Sequence, residues 1–132
     1  MMDFIETKKT VIQKKCKIFG EIISNDDVIL YGEVKGNINC ENDVIVGGVI
    51  VGNVEANELH VYGSKENFGK EGSVFGDVHI NSCVTNGKIK GDCFIKEDML
   101  VGHDATVIGE INAGNIDIKK GAIIRGNINT NR

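Results

Sequence analysis

The chain contains no proline and no tryptophan, and only two tyrosines and five phenylalanines among its 132 residues. Average usage would supply about six or seven prolines in a chain of this length. Because proline has no backbone N–H, its absence favours a structure in which nearly every N–H is needed for strand pairing. The scarcity of aromatic residues favours a narrow interior filled by Val and Ile, and argues against a wide globular core.

The motifs of common enzyme families are also missing. The sequence has no nucleophile elbow, phosphate loop, H-E-x-x-H or paired C-x-x-C. Its acidic residues are spread one per repeat and do not form an acid–base pair. A net charge of −4 with two tyrosines argues against a nucleic-acid surface. We therefore predict a protein that is not an enzyme, with no cofactor, metal, small-molecule substrate or nucleic-acid partner.

Cysteine and histidine are present but do not form a recognisable site. The cysteines are predicted to be small buried residues in a reducing compartment: Cys16, Cys40, Cys83 and Cys93. The histidines are scattered and are predicted to be structural: His60, His79 and His103.

One short motif recurs through the whole chain: aliphatic, any residue, Gly, then Asn, Asp or Glu, then aliphatic. Examples are IFGEI at 18–22, IVGNV at 50–54, VFGDV at 74–78 and IRGNI at 124–128. One glycine per repeat gives intervals of 16, 16, 24, 15, 18 and 17 residues: Gly20, Gly36, Gly52, Gly76, Gly91, Gly109 and Gly126. A repeat of this length that fills the chain indicates a solenoid.

Within each repeat, apolar and polar residues alternate with a period of two. From residue 28 to residue 56 the alternation is almost unbroken, which is typical of strands with one buried face. We predict an all-β solenoid of six to seven coils, each with two or three strands of three to five residues and glycine at its corners. Residues 1–15 are predicted to be a flexible tail and residues 16–130 the coils. A polar insertion at 64–72 is either a surface bulge or a partner-binding knob.

The N-terminal segment combines apolar residues with a basic cluster. We predict a contact with an anionic bilayer surface through Met1, Met2, Phe4, Ile5, Lys8 and Lys9, and keep a plain tail or first-strand edge as the alternative. The apolar tip is too short to span a bilayer, and it does not have the order of a secretory signal.

The repeated coils, together with TKKTVIQKKCKIFGEI followed by NDDVILYGEVKGNI, resemble the bactofilins, bacterial polymer-forming cytoskeletal proteins. The resemblance covers residues 10–130. It implies a right-handed parallel β-helix of triangular section that assembles head to tail without nucleotide into filaments. Such filaments are scaffolds for cell shape, polarity or wall-modifying enzymes. They are cytoplasmic and often peripheral on the inner face of the cytoplasmic membrane, so the implied partners are the chain itself, that membrane and cell-wall or shape proteins.

The two ends of a solenoid expose an unpaired ring of backbone groups over a slice of core, which favours polymerisation independently of the resemblance. We predict an assembly interface of Ile18, Ile22, Ile116, Ile118, Ile124 and Ile128. Opposite ends meeting would give an open polar filament, and like ends meeting would give an unpolarised one.

Two other readings stay open. A left-handed β-helix acyltransferase or carbonic-anhydrase-like enzyme would show near-strict hexapeptides and a histidine cluster. A non-polymerising binding rod would remain monomeric at high concentration.

Overall fold

The strands of this protein are short and numerous. The computed structural model describes residues 9–130 except 66 and 68, and all regular structure in that part is β-strand. The strands, in chain order, are β1 (Lys9–Ile12), β2 (Lys17–Phe19), β3 (Ile22–Ser24), β4 (Asp27–Leu30), β5 (Glu33–Lys35), β6 (Ile38–Cys40), β7 (Asp43–Val46), β8 (Val49–Val51), β9 (Val54–Val61), β10 (Ser73–Phe75), β11 (Val78–Thr85), β12 (Lys88–Lys90), β13 (Cys93–Val101), β14 (Thr106–Ile108), β15 (Ile111–Ile118), β16 (Ile123–Arg125) and β17 (Ile128–Thr130).

Parallel pairing sorts these strands into three stacks, which we call faces. Face 1 contains β2, β5, β8, β10, β12, β14 and β16. Face 2 contains β3, β6, the first halves of β9, β11, β13 and β15, and β17. Face 3 contains β1, β4, β7 and the second halves of the same four long strands. The prediction of a parallel β-solenoid of about seven coils is confirmed.

Glycine marks the corner between face 1 and face 2 in every coil. The seven predicted corner glycines all have φ between 138° and 155°, a backbone conformation that L side chains rarely adopt. From Gly36 onward, a Cβ on each of them would meet the carbonyl oxygen of the corner glycine one coil earlier. Both the backbone angle and the close stacking therefore require glycine.

The core consists of inward-facing side chains stacked in rows along the solenoid. One row on face 1 runs Ile18, Val34, Ile50, Val74, Ile89, Val107 and Ile124. The five interior members are fully buried, at 0% exposure. The alternation read between residues 28 and 56 is confirmed, since Val28, Leu30, Val34, Ile38 and Cys40 are all buried.

Two features differ from the sequence prediction. The solenoid begins before residue 16, because β1 pairs with β4 and Ile12 is buried inside the predicted tail. The strands β9, β11, β13 and β15 run for eight or nine residues instead of three to five. In β9, β11 and β15 the corresponding inward positions on faces 2 and 3 are five residues apart, as from Val54 to Leu59, against six from Ile38 to Val44. In β13 the distance is six, and the strand is continuous there as well.

The insertion at 64–72 folds back onto the solenoid. Asn67 is 5% exposed, and its amide donates a 2.8 Å hydrogen bond to the carbonyl oxygen of Gly47. Two backbone bonds close the turn, from Gly69 N–H to Ser64 and from Gly72 N–H to Tyr62. A Cβ at Gly47 would contact Tyr31 and the Asn67 amide, so glycine leaves the space that the loop occupies.

Candidate assembly interface at the two ends of the solenoid

Each core row ends in the first or the last coil of the described solenoid, where no further coil covers its terminal side chain. Ile18 is the first member and Ile124 the last of the face 1 row, and each is half-buried, unlike the members between them. The corresponding row on face 2 begins at Ile22, which is half-buried, and ends at Ile128, which is 42% exposed. Thus four predicted interface residues are inward-facing core positions that lack a covering neighbour on one side.

Face 3 contributes the other two predicted residues. Ile116 is half-buried and ends the row that contains Val28, Leu59 and Met99. Ile118 ends the adjacent row and is 44% exposed. The N-terminal starts of these two rows are Thr10, which is exposed, and Ile12, which is 5% exposed and adds little to the open surface at that end.

The backbone is open at the same places. In the described part of the chain, β1, β2 and β3 each have a strand neighbour on one side only, as do β16, β17 and residues 115–118 of β15. Each end therefore presents three strand edges over exposed core. Unpaired edges of this kind are templates for pairing with another chain.

A ladder of side-chain oxygens runs along the corner beside the glycines. Asn37 Oδ1 accepts from the Asn53 N–H at 2.9 Å, and Asn53 Oδ1 accepts from the Asp77 N–H at 2.9 Å. Asp77 and Asp92 continue the pattern at 3.0 Å, each accepting from the N–H one coil later. Each of these side-chain oxygens therefore satisfies a backbone N–H group of the following coil at the corner.

The predicted membrane-contact segment is almost entirely outside the description. Met1, Met2, Phe4, Ile5 and Lys8 lie outside the described residues, and Lys9 opens β1 opposite Asp27. Within residues 9–130, leaving out 66 and 68, no helix is long and apolar enough to cross a membrane.

The thiols are all free, and three of them are buried in the core. Cys16 is exposed, which corrects its prediction as a buried residue, because it lies in the turn before β2. Burial raises the pKa of the Cys93 thiol to about 12, with Asp92 and Asp77 adding to the rise. Burial likewise raises the pKa of Cys83 and of Cys40. These thiols are protonated and inert at neutral pH.

The histidines are separate from one another. The His79 ring stacks on Phe94 with 4.7 Å between ring centroids, and His60 contacts Tyr62 edge to face at 5.1 Å. His103 Nδ1 lies 2.9 Å from the Lys120 carbonyl oxygen. Among the residues described, no group of three or more His, Cys, Asp or Glu side chains comes together to hold a metal ion.

Comparison with known proteins agrees with this geometry. The family model "Bactofilin: Polymer-forming cytoskeletal" matches residues 10–68 and 65–129. Bactofilin BacO of Myxococcus xanthus (strain DK1622) is 28% identical over 119 residues, which cover 90% of this chain and 77% of the relative. No solved structure matches. The match over nearly all of the coils shows that the chain belongs to the bactofilin family, the polymer-forming cytoskeletal proteins.

Proposed function

We propose that this bactofilin assembles end to end, without nucleotide, into filaments that act as an intracellular scaffold. The observation that carries the proposal is the position of six isoleucines, each of which is the terminal member of a core row. They are Ile18, Ile22, Ile116, Ile118, Ile124 and Ile128. A second subunit stacked on either end covers them and continues the strand pairing.

The energetics favour this contact. Complete burial of a fully exposed isoleucine side chain contributes roughly 1.5–3 kcal/mol. Ile118 and Ile128 are 44% and 42% exposed and the other four are partly buried, so each contributes part of that amount when a second subunit covers it. Burial of two such side chains at the N-terminal end and four at the C-terminal end, with pairing of the strand edges, acts against the ~4–15 kcal/mol cost of association. The contact consists of apolar burial and backbone pairing, so no bound nucleotide is needed to form it.

Two arrangements bury the same residues. Opposite ends place Ile18 over Ile124 and Ile22 over Ile128, because these pairs end the same rows. Like ends meet across a two-fold axis. A filament in which N-to-N contacts alternate with C-to-C contacts also extends indefinitely. In both arrangements the polymer is an open filament.

The filament would serve as a scaffold for cell shape, polarity or cell-wall enzymes, on the cytoplasmic side of the membrane. Family membership supports the scaffold role. The composition of the first nine residues supports a peripheral membrane contact, since Met1, Met2, Phe4 and Ile5 precede Lys8 and Lys9. Co-sedimentation with anionic vesicles tests this contact: replacing Phe4 and Ile5 by Ser should release the filaments from the vesicles without depolymerising them.

The primary test is negative-stain electron microscopy of the purified chain, with and without chelator and in the absence of nucleotide. Unbranched filaments a few nanometres wide are expected in both samples. Discrete trimers would instead favour a β-helix enzyme, and single short rods at high concentration would favour a non-polymerising binding protein. Either result would contradict the proposed function.

A further inference from the structure

Face 1 has a basic and apolar outer surface. Its seven strands carry five basic residues and one acidic residue, a net charge of +4 in a chain whose overall charge is −4. The basic residues are Lys17, Lys35, Lys88, Lys90 and Arg125, and the acidic residue is Glu33. Because successive strands of one face are stacked in register, these charges lie along one side of the solenoid.

Large apolar side chains lie between these charges. Phe19 is 72% exposed, Ile123 is 49% exposed and Val51 is 43% exposed. The Lys35 ammonium lies 5.6 Å from the centre of the Phe19 ring, and the Lys88 ammonium lies 6.0 Å from that of Phe75. Exposed aromatic and aliphatic side chains mixed with lysine mark a surface suited to a partner that is both apolar and acidic.

Face 3 has the opposite charge. Its strands carry five acidic residues and one basic residue, Lys9, a net charge of −4. The acidic residues are Asp27, Asp43, Glu58, Asp98 and Asp117. Asp27, Asp43, Glu58 and Asp98 belong to one outward row. The next outward row contains Val11, Ile29, Ile45, Val84 and Leu100, with His60 in its middle and Asp117 at its end. Face 2 differs from both, because its charges nearly balance: Glu55 lies on it, and Lys96 and Glu97 follow its residues in β13.

We propose that face 1 of one subunit docks on face 3 of a subunit in a neighbouring filament, so that filaments associate side by side. The inference rests on the end-to-end assembly proposed above. Both surfaces are parallel sheets with the same strand spacing of about 4.8 Å, so rows on one can follow rows on the other. Two such sheets pack about 10 Å apart, with apolar rows in contact and opposite charges beside them.

The contact is weak for one subunit and strong for a filament. Each exposed ion pair contributes about 0–1 kcal/mol, so two free subunits do not stay together through these faces. Opposite-end assembly continues face 1 of one subunit into face 1 of the next, and many weak contacts then act together. Side-by-side association should therefore appear only after filaments form, and should weaken with salt because charges at this spacing are screened over ~10 Å at 0.1 M.

A second copy of the chain accounts for more of the surface than an anionic bilayer does. A bilayer would cover face 1 but would repel the carboxylates of face 3, and would leave the row from Ile29 to Leu100 without a partner. Pairing face 1 with face 3 covers both apolar rows and neutralises both sets of charge. Nucleic acid is disfavoured by the aliphatic side chains and by the single arginine, Arg125, on face 1.

The test uses charge reversal in the middle of the solenoid, away from the ends. Lys88→Glu/Lys90→Glu reverses the charges in the middle of face 1 and brings its net charge from +4 to 0, and Asp43→Lys/Glu58→Lys does the same on face 3, from −4 to 0. Electron microscopy and light scattering at low salt should show bundles for the wild type and single filaments for each variant. Raising the salt should separate wild-type bundles into single filaments without shortening them, since the end contacts are apolar and backbone-paired.

The decisive comparison is between two four-fold variants with identical net charge. Combining the face 1 and face 3 changes should restore bundles, because the charges exchanged in the middle of the two faces are again of opposite sign. Combining the face 1 changes with Glu41→Lys/Glu55→Lys, which places the same number of new charges on face 2 and at its corner with face 3, should leave single filaments.

Each outcome has a distinct meaning. Absence of filaments in the wild type would contradict the end-to-end assembly itself. Wild-type filaments that stay single at low salt, or bundles that survive reversal of face 1, would overturn the side-by-side contact alone. Loss of binding to anionic phosphatidylglycerol vesicles by the face 1 variant with bundling unchanged would assign face 1 to the bilayer and overturn the proposal.

Discussion

Ile18 and Ile124 are the first and last members of one core row, and they are its only half-buried members in the described structure. The five residues between them are completely buried. The first coil and the last coil of the described structure therefore expose the same type of apolar surface. The assembly interface therefore consists of ordinary core positions that have lost one neighbour.

The N-terminal end gives a first prediction. Ile22→Asp should abolish filaments, because the carboxylate would be enclosed at the junction, where an unpaired charge costs several kcal/mol. Ile22 is half-buried and at the end, so the free subunit should still fold. Ile23→Asp is the matched control, since Ile23 points outward and is 73% exposed. Pelleting assays should recover Ile23→Asp filaments and no Ile22→Asp filaments; pelleting of both would exclude this end from the junction.

The corner glycines give a second prediction. Gly76→Ala should lower the free energy of unfolding by at least ~3 kcal/mol, because the new Cβ meets the Gly52 carbonyl oxygen and the backbone has φ +154°. Gly20→Ala has a similar backbone, with φ +138°, but its Cβ meets nothing within 4 Å. Denaturant unfolding should show a clearly smaller loss for Gly20→Ala. Equal losses would mean that backbone angle, and not stacking, requires glycine.

The oxygen ladder gives a third prediction. Asn53→Ala removes the acceptor for the Asp77 N–H and should cost about 0.5–1.5 kcal/mol of stability. Asn53→Asp keeps an acceptor at the same place, as Asp77 and Asp92 do in later coils, and should cost less. Thermal unfolding of the two variants compares them directly. A less stable Asn53→Asp variant would show that charge repulsion along the corner outweighs the hydrogen bond.

The thiol of Cys93 gives a pH-dependent prediction. Its pKa is raised from 9.0 to about 12 in the folded chain, so the unfolded chain loses the proton first as the pH rises. Folding stability should therefore fall between pH 9 and pH 12, by up to ~1.4 kcal/mol per pH unit. Cys93→Val fits the row that contains Val78 and Ile111, and should make this decline shallower. Identical slopes for the two proteins would contradict burial of a neutral thiol.

The sequence predicted the features that depend on local periodicity. The alternation of apolar and polar residues located the core positions, and a glycine followed by Asn, Asp or Glu located the corners. Both patterns are visible in the sequence because every coil repeats them. The start of the solenoid was missed because β1 is recognised only by its pairing with β4, fifteen or more residues away. Cys16 was wrongly predicted to be buried for a related reason, since its burial depends on where the first coil begins.

The charge difference between the faces was also missed, although the sequence contains a signal for it. Aligning the repeats on their corner glycines puts Phe19, Lys35, Val51, Phe75, Lys90, Ile108 and Arg125 in one column, immediately before the glycine. The acidic column on face 3 is harder to find, because the distance from the corner to face 3 varies between coils. Strand register is needed to collect Asp43 and Glu58 into one row.

The most direct test of the account is the assembly state of Ile124→Asp beside Ile123→Asp. Ile124 ends a core row, whereas Ile123 is its outward-facing neighbour and is 49% exposed. Electron microscopy at high salt, where filaments are single and the face 1 contact does not contribute, should show filaments for Ile123→Asp and none for Ile124→Asp, which should remain folded. Residual monomers of Ile124→Asp would indicate opposite-end junctions, and residual dimers would indicate like-end junctions. Normal filaments from Ile124→Asp would contradict assembly through the open core.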